Sequence, residues 1–352
     1  MSVLSQGLSV LDQFFRGAAT EAGRRSRCAG LCHPRAMRSR TGRPDLAAHA
    51  RLFDLPDAGA DPPGPSVTFL GVSTLLISDG RDAVMTDGFF SRPSLARTAL
   101  RPLAPDNFRI DAALARAGVD RLDAVIPVHT HYDHALDSAT VAARTGATLV
   151  GGRSAVNLAR AHGLADDRIQ LARPGEPMEF GGFEVTLIEG RHCPPDRSPG
   201  EIADPPALPA RVRTYRCGEA WSIVVAHRPS GRSLLVVGSA GFVPDALAGH
   251  RAEVAYLGVG QLGIQPTAYL TRYWDETVRT VQAQRVVLTH WDDFFRPLDV
   301  PLRAISRRFD DLDRSISVLS GLARADGVGL HLPTLWQRAD PWAGLLNARE
   351  SA

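Results

Sequence analysis

From residue 66 onward, short apolar runs alternate with segments in which apolar residues recur at helical spacing. Short runs bounded by Gly, Pro or Asp are typical of strands. Asp79-Gly80, between two early runs, favours a hairpin turn. The pattern predicts strands at 66–71, 73–78, 82–87, 125–128, 147–150, 183–188, 221–227, 233–237, 254–257 and 286–289.

Apolar residues spaced three or four positions apart predict helices between these strands. Gly146 and Gly163 mark the ends of two helices, because glycine accepts the left-handed conformation that often closes a helix. We predict loops at 89–105 and 196–213. We expect the second loop to shape a substrate site, since long loops inside a domain are often functional. The predicted helices cover 110–117, 138–144, 154–162, 266–284, 301–309 and 316–324.

The two ends of the chain differ in composition from the middle. Residues 1–65 are rich in arginine and end in a linker, Asp-Pro-Pro-Gly-Pro, at 61–65. The arginines lack the apolar region of a secretory signal. We therefore expect 1–65 to be a poorly ordered tail with a short helix at 8–15. We expect 66–335 to be the folded domain and 336–352 to be a C-terminal tail.

Composition narrows the choice of partners. The 352 residues include 40 basic and 38 acidic side chains, for a net charge of +2. This balance argues against a nucleic-acid surface, which needs a basic excess. No apolar run approaches the ~20 residues that span a bilayer. We expect a small-molecule substrate, no nucleic acid, no membrane span and a cytoplasmic location with export left open, and the oligomeric state stays undetermined.

The strongest chemical signal follows the apolar run at 125–128. His129, His131, Asp133 and His134 come directly after it. Side chains alternate in an extended segment, so His129 and His131 point the same way and can bind one metal ion. Asp133 and His134, where the chain turns into a helix, can serve a second ion. Neutral imidazole and carboxylate form a ligand set suited to zinc.

The H-x-H-x-D-H spacing resembles the metallo-β-lactamase superfamily, and the resemblance spans roughly residues 66–332. It implies an α/β fold, a four-layer αββα sandwich, with a metal site on one rim and a hydrolase function. His192 and His290 match the superfamily's third ligand of the first metal and its last ligand. The chain is most similar to the lactonase and phosphodiesterase-like branch, which includes L-ascorbate-6-phosphate lactonase and N-acyl-phosphatidylethanolamine phospholipase D.

The resemblance gives meaning to two further positions. Asp87, at the end of a predicted strand, resembles the aspartate that orients a metal-bound histidine. Relatives commonly carry G-D-[ST]-G where this chain has Gly-Ser-Ala-Gly at 238–241, so Ser239 replaces the aspartate that bridges two metals. The lactamases also lack that aspartate, and one subclass uses three histidines for one zinc and Asp-His-His for the other. The corresponding groups here are His129, His131 and His192, and Asp133, His134 and His290.

Zinc lowers the pKa of bound water to about 7 and so supplies hydroxide at neutral pH. Asp133 is the candidate catalytic residue, because it would orient the nucleophile and take its proton. We predict a hydrolase of a small ester, lactone or phosphodiester that uses one or two Zn²⁺ ions, with Mn²⁺ or Fe²⁺ as substitutes. A β-lactamase is the alternative within enzymes. Ser239 motivates a second alternative, a non-catalytic metal-binding protein.

Other histidines and cysteines receive no ligand role. We expect His162, at the end of a predicted helix, to be a surface or capping histidine, and His227, which precedes a turn, to lie at the surface. Cys193 is expected to be a neighbour of the site rather than a ligand, since adjacent residues in an extended chain face opposite ways.

Overall fold

A computed structural model describes residues 42–59, 62 and 64–346 of the chain. Within them lie two sheets of seven strands each. The short helix predicted at 8–15, and the rest of residues 1–41, lie outside the described residues.

The first sheet combines an antiparallel half with a parallel half. Its order is β14-β1-β2-β3-β4-β5-β6, where the strands are β1 (Ser66–Phe69), β2 (Leu75–Ser78), β3 (Ala83–Thr86), β4 (Ala124–Ile126), β5 (Thr148–Gly151), β6 (Ile169–Leu171) and β14 (Arg338–Ala339). Pairing is antiparallel from β14 to β3 and parallel from β3 to β6. The carboxyl ends of β3 to β6 therefore share one edge.

The second sheet repeats this plan. Its order is β13-β12-β11-β10-β9-β8-β7, where the strands are β7 (Pro177–Phe180), β8 (Phe183–Glu189), β9 (Trp221–His227), β10 (Arg232–Val237), β11 (Val254–Gly258), β12 (Arg285–Thr289) and β13 (Gly329–His331). Pairing is antiparallel from β7 to β10 and parallel from β10 to β13. The carboxyl ends of β10, β11 and β12 thus also meet at one edge.

Helices connect and cover the strands. The α-helices of the described residues are α1 (Leu95–Leu100), α2 (Asn107–Arg116), α3 (Tyr132–Ala135), α4 (Ser138–Thr145), α5 (Arg153–Ala161), α6 (Thr267–Trp274) and α7 (Leu312–Asp326). Short 3₁₀ turns cover Leu46–Leu52, Asp166–Arg168, Val212–Thr214 and Leu262–Ile264, and a π-helical turn covers Asp275–Arg279. Gly146 ends α4 with φ 78°, as predicted. None of the described helices has the length and apolarity needed to cross a bilayer.

Neighbouring residues of β4 show how the layers stack. Ala124 and Ile126 belong to the core that both sheets share, whereas Val125 belongs to a second cluster with Ile110 of α2 and Val141 of α4. This division follows from the alternation of side chains along a strand. The buried faces of α6 and α7 join the core on the side of the second sheet. The predicted four-layer αββα sandwich is confirmed.

The folded domain extends further at both ends than the predicted range of 66–335. Residues 42–59, expected to belong to a poorly ordered tail, pack on the domain, and His49 Nε2 lies 2.8 Å from Asp313 Oδ1. At the other end, β14 lies beyond residue 335 and pairs with β1, and Trp342 is buried. Contacts between the two chain ends and the domain, which leave no local sequence pattern, explain the difference.

Two predicted helices differ from the structure. The helix expected at 301–309 is absent, because Asp292 and Ala304 form an antiparallel bridge and the Ile305 N–H donates to Trp291 O at 3.0 Å. Backbone groups used in this way cannot also form a helix. The helix expected at 266–284 is α6 followed by the π-helical turn, and it ends at Arg279. Helix α1 lies in a segment that we predicted to be a loop.

His227 is buried, so the prediction of a surface position was wrong. Its Nε2 lies 3.1 Å from Asp79 Oδ2, and its Nδ1 lies 2.7 Å from Ser230 Oγ. Asp79 follows β2 of the first sheet, whereas His227 ends β9 of the second. The contact therefore links the two sheets at a distance along the chain that the sequence pattern does not reveal.

Candidate metal centre

Strands of both sheets deliver the predicted ligands to one rim of the sandwich. His129 and His131 follow β4, and Asp133 and His134 lie in α3. His192 follows β8, and His290 follows β12 directly with φ 57°, a left-handed conformation that turns the chain at the strand end. Because carboxyl ends of parallel strands share an edge, residues far apart in sequence meet here.

The first group of potential ligands consists of His129, His131 and His192. One nitrogen of each lies within 4.8 Å of one nitrogen of the others. The closest pair is His129 Nε2 and His131 Nδ1, at 3.1 Å. Three imidazole nitrogens that converge in this way match a ligand set for zinc.

Asp133, His134 and His290 form the second group. Their ligand atoms also lie within 4.8 Å of one another. Asp133 Oδ2 lies 3.8 Å from His134 Nε2 and 3.5 Å from His290 Nε2. The structure therefore brings together all six predicted residues in the two groups that the sequence suggested; metal binding by them remains a prediction.

Asp87 fixes the orientation of His134. Its Oδ2 lies 2.9 Å from His134 Nδ1 and accepts a hydrogen bond from Ser73 Oγ at 2.7 Å. Its Oδ1 accepts from the Val128 N–H at 2.9 Å, which anchors the carboxylate to the strand end before His129. His134 Nε2 is thereby directed toward Asp133, the position that orientation of a metal ligand requires.

In the first group, His131 and His192 each make a polar contact through the ring nitrogen that faces away from the other ligands. His131 Nε2 lies 3.2 Å from Asp196 Oδ1, and His192 Nδ1 lies 2.6 Å from Cys193 O. We predicted no role for Asp196 itself, although we expected the loop at 196–213 to shape the site. Its position four residues after His192 was the available signal.

A buried ring nitrogen without a hydrogen-bond partner in the described part of the chain indicates that these residues suit a metal ion. His134 Nε2 is buried and has no hydrogen-bond partner within the described residues. Buried polar atoms are nearly always satisfied, and the neighbouring donors are imidazole nitrogens and a carboxylate, which suit a divalent cation. The residues present therefore fit zinc or a similar ion.

The electrostatics of the first group, and of Asp133 in the second, favour the protonation states that bind metal. Burial, with His134 and His131 nearby, lowers the pKa of His129 well below its usual value. Burial and His131 lower the pKa of His192 to about 4. Burial opposes ionisation of Asp133, but His134 and His290 hold the pKa of its carboxyl below the ordinary value. Burial opposes protonation of His290, but Asp133 raises its pKa above the usual value. Neutral imidazoles beside an ionised carboxylate are the forms that coordinate metal.

Ser239, which stands where relatives carry the bridging aspartate, lines the cavity and contacts Cys193. The Cys193 N–H donates to Ser239 Oγ at 3.0 Å. Burial raises the pKa of the Cys193 thiol to about 12, which disfavours the thiolate form, and Cys193 belongs to none of the close ligand groups of the described residues. A third close group, His131, Asp196 and Cys217, also contains a buried thiol with a raised pKa. We therefore interpret Asp196 as a residue that positions His131.

Both groups open into one cavity of about 200 Å³. Exposed Arg197 and Arg213 line it on the side of the loop at 196–213. The cavity also has an apolar wall, half of it aromatic, formed by Leu95, Ala99, Tyr132, Val212, Phe294, Phe295, Ile305 and Phe309. A cavity lined by both polar and apolar side chains suits a small molecule with an apolar part.

A family model described as "Beta-lactamase superfamily domain" matches residues 84–291. The match covers more than half of the chain and includes all six candidate ligands. The chain belongs to this superfamily, which confirms the resemblance drawn from the H-x-H-x-D-H motif.

Named relatives match over shorter stretches. A UPF0173 metal-dependent hydrolase of Roseiflexus castenholzii is 29% identical over 91 residues, which are 26% of this chain and 35% of the relative. One of Roseiflexus sp. is 24% identical over 128 residues, 36% of this chain and 47% of the relative. The chain thus spans less than half the length of each. Among solved structures, Igni18, a metallo hydrolase of Ignicoccus hospitalis, has a TM-score of 0.46 at 13% identity and covers 76% of this chain and 94% of its own.

Proposed function

We propose that this protein is a metal-dependent hydrolase that uses one or two zinc ions to cleave a small ester, lactone or phosphodiester. The observation that carries the proposal is the convergence of two ligand groups, each within 4.8 Å, on one cavity. The relatives named metal-dependent hydrolases agree with it. The apolar wall favours a substrate with an uncharged hydrocarbon part, as in a carboxylic ester or a lactone.

When bound, zinc would supply Lewis acidity and a water whose pKa falls to about 7. His129, His131 and His192 would hold one ion, and Asp133, His134 and His290 the other. Asp133 Oδ2 faces both histidines of its own group, so it is placed to orient the nucleophilic water and accept its proton. Phe294 and its neighbours on the apolar wall would exclude bulk water, which strengthens electrostatic interactions at the reacting carbonyl.

Metal analysis of the zinc-loaded protein, combined with a hydrolase panel, tests this function. We expect His131→Ala to lose the first ion and to lose ester and lactone turnover. His250→Ala, which changes a histidine of neither group, should keep both. Full zinc occupancy in the His131→Ala protein would defeat the assignment of the ligands.

Two other functions share this metal site. The ligand groups equal those of one lactamase subclass, so turnover of nitrocefin at the rate of the best ester would instead indicate a β-lactamase. Ser239, which offers a hydroxyl where relatives carry a carboxylate, would suit a non-catalytic metal-binding protein. Zinc retention without turnover of any ester, lactone or phosphodiester, unchanged by Asp133→Ala, would favour that function.

A further inference from the structure

Three polar atoms of the cavity lining lack a hydrogen-bond partner within the described residues. They are Tyr215 Oη, Gln261 Oε1 and Asp310 Oδ2. A buried polar atom without a partner costs free energy, because it has lost water and gained nothing in exchange. Each of these atoms therefore marks a point where a bound molecule can complete the bonding.

Asp310 is the most constrained of the three. Asp310 is only 2% exposed, and its Oδ1 accepts a hydrogen bond from the Gly263 N–H at 2.9 Å. The next residue, Asp311, caps α7 by accepting from the Arg314 N–H. The Gly263 N–H thus fixes one carboxyl oxygen of Asp310, and the other, Oδ2, has no hydrogen-bond partner within the described residues.

Asp310 stands apart from the proposed metal ligands. It belongs to none of the groups whose ligand atoms lie within 4.8 Å of one another. It lines the same cavity as His192 and His290, beside the apolar wall residue Phe309. A molecule that reaches the metal groups and fills the cavity would therefore pass this carboxyl group.

We propose that Asp310 is a substrate-recognition residue whose Oδ2 accepts a hydrogen bond from a hydroxyl or N–H group of the substrate. The aromatic wall around Phe294 and Phe309 takes the apolar part of the same molecule. A substrate without the donor leaves the buried oxygen unpaired and is rejected on that ground. This inference rests on the proposed function, since it places the reacting group at the same metal centre.

Hydroxamates test the proposal without requiring turnover, because their head group binds zinc directly. The probes are hexanohydroxamic acid and derivatives with a hydroxyl at C3, C4 or C5. Burial raises the pKa of the Asp310 carboxyl to about 7, so the measurement is made well above that pH, where the group is ionised. Calorimetry on the zinc-loaded full chain should then show at least one derivative binding about 10- to 100-fold more tightly than the parent, the range for a hydrogen bond to a charged group. Asp310→Ala should remove this gain and leave binding of the parent within about threefold.

Two further variants keep the test decisive. Asp299→Ala, which removes an exposed aspartate outside this cavity lining, should retain the full gain. If Asp310→Ala fails to fold, Asp310→Asn, which can still accept from the Gly263 N–H through Oδ1, should reduce the gain. The gain measured for any derivative is compared with the parent in the same variant, so a general loss of structure does not imitate a lost contact.

The outcomes separate the two proposals. If no derivative binds more tightly than the parent, or if the gain survives in Asp310→Ala, ordered water completes the bonding of Asp310 and the inference is wrong. If not even the parent hydroxamate binds, the metal centre is absent and the proposed function fails together with the inference.

Discussion

Replacing Asp87 with asparagine should weaken the second metal site selectively. Asp87 contacts three groups at once, namely His134 Nδ1, Ser73 Oγ and the Val128 N–H, and it is fully buried. In Asp87→Asn the amide can still accept from one donor, but it no longer carries the charge that fixes the tautomer of His134. His134 Nε2 would then be presented to the ion only part of the time.

The expected magnitude follows from comparable contacts. Loss of the partner that orients a ligating histidine lowers metal affinity by about 10- to 100-fold, or roughly 1.4–2.8 kcal/mol. The second group contains only Asp133, His134 and His290, so this loss falls on one ligand of three. The first group, whose histidines are held by Asp196 and Cys193 O, should be affected far less.

Titration of the apoprotein with zinc against a competing fluorescent chelator measures both affinities. Asp137→Asn is the matched control, because Asp137 is equally buried and accepts from Phe90 N, Ser91 N and Ser91 Oγ without touching a candidate ligand. We expect the control to lower stability and leave both zinc affinities unchanged. Unaltered second-site affinity in a folded Asp87→Asn protein would refute the orienting role.

Two further changes probe the bridge position and the acid sensitivity of the fold. Ser239→Asp should tighten the second site, measured by the same competition titration, and no change in affinity would mean that residue 239 does not face the ions. Burial lowers the pKa of His162 from 6.5 to about 4, and its Nε2 is unpartnered. The unfolded chain therefore binds this proton first, and stability present above pH 6.5 is lost as pH falls toward 4. His162→Gln should remove up to about 3 kcal/mol of that loss in urea unfolding at pH 4, and an unchanged pH dependence would contradict the burial argument.

The candidate site was predictable mainly because its ligands follow apolar strands. The cluster from His129 to His134 is local, and its spacing alone indicated two ligand groups. His192 and His290 required the family resemblance, since nothing in their own neighbourhood points to the cluster. Asp196 was missed because its contact with His131 exists only after the loop at 196–213 folds back over the site.

The errors in the fold have the same cause. The predicted helix at 301–309 has suitable spacing, but the bridge between Asp292 and Ala304 places this segment beside the residues that follow His290. His227 precedes a turn, so we predicted a surface position. In the structure it is buried and contacts Asp79, which follows a strand of the other sheet. Local pattern predicted ten of the fourteen strands of the described residues and missed β6, β7, β13 and β14, which lie at the edges of the two sheets. Contacts between distant segments decided the remainder.

Serine at position 239, where relatives carry aspartate, removes a carboxylate from the rim of the sandwich. The chain segments packed around this position keep their contacts. A Cβ added at Gly241 would lie 1.9 Å from Arg191 O, and one added at Gly238 would lie 2.2 Å from a Val128 side-chain carbon. Both glycines are therefore required by close packing against the chain segments that carry His192 and His129. Without a bridging carboxylate at position 239, a second ion would have Asp133, His134 and His290 as its ligands. We therefore expect the orientation of His134 by Asp87 to contribute much of the affinity of that site.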